Sequence, residues 1–102
     1  MARTPIHPGE ILGDEIKELG ISAAELARTL CVPANRVSQI LAGKRAISAD
    51  TALRLGRWLG TGAAFWLNLQ KSYELKLAEQ ATGKEIEVTV MPRSHEQITP
   101  PI

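Results

Sequence analysis

The sequence predicts an all-α domain of five helices. Apolar residues recur at spacings of three and four in five separate runs. Residues that favour helix starts stand before these runs (Pro8, Ser22, Pro33, Ser48 and Thr61), and Gly20, Gly43, Gly60 and Gly83 follow four of them. The chain has 102 residues, of which 44% are hydrophobic, enough for one domain with a modest core.

Pro8 suits the first helical position, and Ile11, Leu12, Ile16 and Leu19 follow at helical spacing until Gly20; helix one is expected over 8 to 19. Ser22-Ala-Ala-Glu25 reads as a capping box, in which a hydroxyl and a carboxylate satisfy each other's backbone amides. Helix two then covers about 23 to 30, with Leu26, Ala27 and Leu30 inward. Cys31 and Val32 form a tight connection, and Pro33 opens helix three, which ends near Gly43. Ser48 caps helix four, which carries Ala52, Leu53, Leu55, Trp58 and Leu59 and stops at Gly60; Trp58 is expected in the core. Helix five is the longest, from Thr61 to about Ala81. Glu85-Ile-Glu-Val-Thr-Val90 alternates polar and apolar residues, which predicts a strand over 86 to 90. A lone strand needs another chain to pair with, so the alternatives are such pairing or a loose tail. The ending RSHEQITPPI is expected to fray. The chain thus divides into a domain at 1–83 and a tail at 84–102.

Net charge is only +1, but the charges are unevenly placed. Arg28 to Arg57 holds six basic residues against the single acid Asp50, whereas Glu10 to Glu25 holds five acids against Lys17. A chain so divided can turn a basic face to phosphates while nearly neutral overall. The lone Cys31 cannot close a disulfide within the chain, and no His/Cys cluster has metal-ligand spacing. With no apolar leader and no apolar run near the ~18 residues of a membrane span, a cytoplasmic protein without membrane contact is expected. His7 and His95 lie at opposite ends, and no phosphate loop or nucleophile–base pair appears, so neither catalysis nor a cofactor is expected.

The stretch CVPANRVSQILAGKRAIS, residues 31 to 48, points to the partner. Two amphipathic helices joined by so short a turn cross sharply, as in the helix-turn-helix, whose second helix enters the major groove. Val37, Ile40 and Leu41 occupy one side of helix three. Asn35, Ser38, Gln39 and the small Ala42 occupy the other, with Arg36 on the flank. Asn or Gln can fork onto adenine and Arg onto guanine, each adding roughly 1–3 kcal/mol of discrimination. Asn35, Arg36, Ser38 and Gln39 are therefore the candidate base contacts, Arg36 being open also to phosphate or solvent. Lys44 and Arg45 follow on the turn, where cations meet phosphates, and Arg28 is counted with them. Arg54 and Arg57 either extend that surface or are ordinary solvated charges.

The run from Ile21 to Leu75 resembles the HigA/VapI-type antitoxins of the XRE (lambda-repressor-like) helix-turn-helix family. HPGEIL at 7–12, GKRAISADTALRL at 43–55 and FWLNLQ at 65–70 are the more particular parts of the likeness, which covers about residues 7 to 78. The resemblance implies a five-helix lambda-repressor-like fold and dimeric binding to operator DNA in the protein's own promoter. It also implies neutralisation of a HigB-type toxin, a ribosome-dependent mRNA endonuclease. The alternative is an orphan XRE regulator with no toxin partner. Two positions depart from the pattern. Cys31 stands where relatives commonly carry glycine, and Ala23 stands where phage repressors often place glutamine.

A dimer needs a contact surface, and helix five offers one. Phe65, Trp66, Leu69, Tyr73 and Leu77 form one apolar stripe, with Ala64, Leu67, Leu75 and Ala78 nearly opposite. Part of 65 to 77 is expected to contact a second copy. The competing reading puts Phe65, Trp66 and Leu69 in the core.

Overall fold

A computed structural model of the protein describes residues 4–93. They form five helices: α1 (Pro8–Leu19), α2 (Ala23–Leu30), α3 (Ala34–Leu41), α4 (Ala49–Leu59) and α5 (Ala63–Thr89). The ends of the first four fall where local chemistry places them. His7 caps α1 with Nδ1, which accepts from the Gly9 amide at 2.9 Å. Gly20, in the left-handed region at φ 70°, closes that helix. The capping box is complete: the Glu25 amide donates to Ser22 Oγ at 3.1 Å, and the Ser22 amide to Glu25 Oε1 at 2.8 Å. Ser48 Oγ accepts from the Thr51 amide at the start of α4.

One core holds the helices together. Leu12 and Ile16 of α1 meet Leu26 and Leu30 of α2, Val37 and Ile40 of α3, and Leu55 of α4. Helix α2 packs on α3, α1 lies across α3, and α5 lies along α4 and touches α1. Two of these approaches require a missing side chain. A Cβ at Gly9 would collide with the Ile40 carbonyl, and one at Gly56 would run into the backbone of Gly62 and Ala63. The HPGEIL segment therefore seats the start of α1 directly on the end of α3.

Four expectations are corrected. Residues 86 to 89 are helical, and the described residues contain no strand. The alternation of Glu85 to Val90 has no neighbouring strand to bond with. Extending an existing helix adds one backbone bond per residue without a new nucleus. The Val90 amide donates to the Ile86 carbonyl at 2.8 Å, completing that ladder. Gly83, expected to end the helix, lies inside it, so the expected division at residue 83 falls within α5. Trp58, expected in the core, is 40% exposed, because α4 turns Ala52 and Leu55 inward and leaves the indole at the edge. Trp66, expected at a partner surface, is 1% exposed and belongs to the core. Its indole N–H donates to Thr61 Oγ1 at 3.0 Å, the bond a buried indole needs. Most of the expected fraying tail, 94 to 102, lies outside the described residues. No helix among those residues is long and apolar enough to cross a membrane.

Candidate nucleic-acid interface

Helix α3 buries Val37 and Ile40 and leaves Asn35 and Ser38 exposed, with Gln39 half-buried beside them. The 3.6-residue period makes this unavoidable: once Val37 and Ile40 are core, 35, 38 and 39 must turn away from it. Ser38 Oγ lies 3.3 Å from the Asn35 carbonyl, a weak bond back onto its own helix. After Leu41 the chain turns through Ala42 and a left-handed Gly43 at φ 74°. The Lys44 amide donates to the Gln39 carbonyl at 2.9 Å, so Lys44 is held close to the exposed ridge. Arg45 is exposed one residue on, and Arg28 is exposed in the last turn of α2.

Arg36 stands apart from the other candidates. Its Nη1 donates to Asp50 Oδ2 at 2.9 Å, leaving the side chain 28% exposed. The same carboxylate oxygen accepts from Arg54 Nε at 3.0 Å. Arg54 also donates through Nη1 to the Leu30 carbonyl at 2.9 Å and, more weakly, to the Cys31 carbonyl at 3.4 Å. It thus satisfies carbonyls that the end of α2 leaves without partners. Arg54, open at first between phosphate contact and solvent, is a brace for the turn. Asp50 is the residue that sequence reasoning missed. Its i,i+4 spacing to Arg54 is readable, but its link to Arg36 spans fourteen positions.

The turn itself is tight. Cys31 lies in the left-handed region at φ 58°, ψ 47°, and the Val32 amide bonds back to the Ala27 carbonyl at 3.0 Å. Gln70 fixes the loop on the other side of α3. Buried on α5, it accepts the Ile47 amide through Oε1 at 2.9 Å and donates through Nε2 to Glu74 Oε2 at 2.9 Å. Its place four residues after Trp66, on the same face of the helix, was the visible sign of that role.

The electrostatics follow these bonds. Asp50 is held below the usual carboxylate range, first by the hydrogen bond from Arg54 and then, against an opposing desolvation, by that from Arg36. Glu25 is lowered by the Ser22 amide and then the Ser22 hydroxyl, and Glu74 by Gln70 and then Lys71. Arg36, Arg45, Ser48 and Asp50 line an open cleft of about 400 Å³ between α3 and the start of α4. Among the described residues no group of His, Cys, Asp and Glu side chains could hold a metal ion.

The dimer candidates divide by position along α5. Phe65 and Leu77 are 44% and 42% exposed, and Leu69 and Tyr73 are half-buried. Tyr73 lies edge-on to His7 with centroids 4.9 Å apart. Past Lys76 the helix leaves the body: Leu77, Ile86 and Val88 are all exposed.

Residues 13–66 match the helix-turn-helix family model. Virulence-associated protein I of Dichelobacter nodosus is 53% identical over 76 residues, covering 74% of this chain and 70% of that protein. A HigA-family addiction module antidote protein from Coxiella burnetii superposes with a TM-score of 0.87 at 53% identity, covering 88% of this chain and 99% of that one. The antitoxin HigA of Pseudomonas aeruginosa, solved with the higBA promoter, gives a TM-score of 0.86 at 52% identity, with 89% and 100% covered. The chain belongs to the helix-turn-helix family, alongside the HigA antitoxins and virulence-associated protein I.

Proposed function

We propose that this protein is a cytoplasmic antitoxin, a binding protein and not an enzyme, that binds operator DNA in its own promoter as a homodimer. It represses that promoter and neutralises a HigB-type endonuclease. The observation that carries the DNA half is the polar ridge of α3, exposed in a chain half identical to an antitoxin solved on promoter DNA. Asn35 and Gln39 read adenine edges, Arg36 a guanine, and Ser38 supports them with a hydroxyl. Lys44, Arg45 and Arg28 take phosphates and set the register without reading sequence.

A single helix-turn-helix reads too few bases to select a site, so two copies act on half-sites about one helical turn apart. The exposed apolar residues of α5, Phe65 and Leu77 with the half-buried Leu69 and Tyr73, supply the contact between copies. The same helix leaves Ile86 and Val88 free for the toxin.

Footprinting on the DNA upstream of the gene, with and without the neighbouring gene product, tests both halves. A protected pair of half-sites is expected, and its occupancy should change when a toxin is added. No protection on any duplex would overturn the DNA reading. Protection that ignores every neighbouring product would leave a regulator without a toxin. Asn35→Ala and Gln39→Ala should relax sequence preference. Lys44→Ala should weaken binding to all sequences and flatten the salt slope by about one.

A further inference from the structure

We propose that Asp50 is a positioning residue for Arg36, holding its guanidinium ready for a base edge and keeping it off the phosphate backbone. The inference rests on the operator-binding reading above and adds a specificity determinant on α4, outside the recognition helix.

Asp50 is the only acid between Arg28 and Arg57, in the most basic part of the chain. An acid there weakens attraction to DNA, so its presence calls for a compensating use. Stability is a poor candidate for that use, because pairs this exposed contribute little. Geometry supplies a better one. Arg54 is anchored on the carbonyls of Leu30 and Cys31, and through Nε it holds the Asp50 carboxylate from one side. The carboxylate in turn holds Nη1 of Arg36 from the other. The helix-turn-helix turn therefore sets where the Arg36 guanidinium lies.

The bond to Asp50 takes one N–H of five, so a two-pronged contact to guanine remains open to the rest of the fork. A free arginine beside Lys44 and Arg45 would instead meet any nearby phosphate, and phosphates occur at every sequence. Asp50 opposes that in two ways. It offsets the Arg36 charge, and it places a negative charge in the open cleft that it lines with Arg36 and Arg45.

The test uses the full-length protein, a duplex that it selects from a randomised pool, and a scrambled duplex of equal length. Asp50→Asn should raise affinity for the scrambled duplex several-fold and steepen its salt slope by about one. The ratio of selected to scrambled affinity should fall about tenfold, with preference relaxed chiefly at one base pair per half-site. Asp50→Glu, which keeps the charge, should recover much of the ratio. In an Arg36→Ala background, Asp50→Asn should leave the ratio unchanged.

Equal change on both duplexes, or an undiminished Asp50→Asn effect without Arg36, would overturn the proposal. If Asp50→Asn melts below the binding temperature, Arg36→Lys, which keeps the charge but loses the fork, replaces it. A retained ratio in Arg36→Lys also overturns the proposal. Failure of the DNA reading looks different: the unaltered protein would then select no duplex over the scrambled one.

Discussion

Cys31 holds a backbone conformation that side chains with a Cβ avoid, at a cost of roughly 1–2 kcal/mol. The bonds around it, from Arg54 and from Val32, keep it there. Cys31→Gly should therefore raise stability by about 0.5–1 kcal/mol, once glycine's extra freedom in the unfolded chain is subtracted. That is a rise of several degrees in Tm for a domain of this size, read by thermal unfolding. Lowered carboxyls make a second prediction at this scale. Glu25, Asp50 and Glu74 bind protons less readily when folded than when unfolded. Stability should then be level above about pH 5 and fall as pH drops through about 4 and below. Urea midpoints between pH 3 and 7 check this, and Asp50→Asn should remove only a small part of the slope, since its pairs are exposed. The exposed ridge residues could be read from the sequence because burying Val37 and Ile40 leaves 35, 38 and 39 no other side. The Arg36–Asp50 bond could not, since it depends on how α3 and α4 pack.

At the scale of elements, helix ends were legible wherever the signal is local. Ser22 with Glu25, Gly20 and Gly60 lie within a turn of the groups they satisfy, so their meaning needs no tertiary knowledge. The far end of α5 lacked such a signal. Its two-residue alternation is a pattern of side chains, whereas the backbone followed the bonds already available from the preceding turn. Two tryptophans on apolar faces looked alike in sequence, and only the lay of α5 along α4 decided that Trp66 is enclosed and Trp58 is at an edge. Gly83 sits mid-helix, where glycine is worse than alanine by roughly 1 kcal/mol. Gly83→Ala should raise helicity and slow amide exchange over residues 79 to 89, with little change near Trp66. Unchanged exchange there would argue against a continuous helix.

For the whole molecule, the central features are a body that presents α3 and a helix that outgrows that body. Twenty-seven residues of α5 reach about 40 Å, and the part beyond Lys76 has little of its own chain against it. Short isolated helices are marginal in water, which suits a surface completed by a second copy. Phe65→Ser with Leu77→Ser should shift sedimentation from dimer towards monomer. Operator affinity should fall by about tenfold or more, while Tm at high protein concentration drops only modestly, since neither side chain is core. A monomeric unaltered protein at roughly tens of micromolar would remove the basis for this.

The hydrogen bond from Ile47 to Gln70 divides α5 into two parts with separate duties. The bonds that steady the loop at Ile47 run through Gln70 and end at Glu74, and the turns beyond Lys76 have little of their own chain against them. A cut beyond Lys76 should thus leave the helix-turn-helix body folded and remove only what the outer arm offers to a partner.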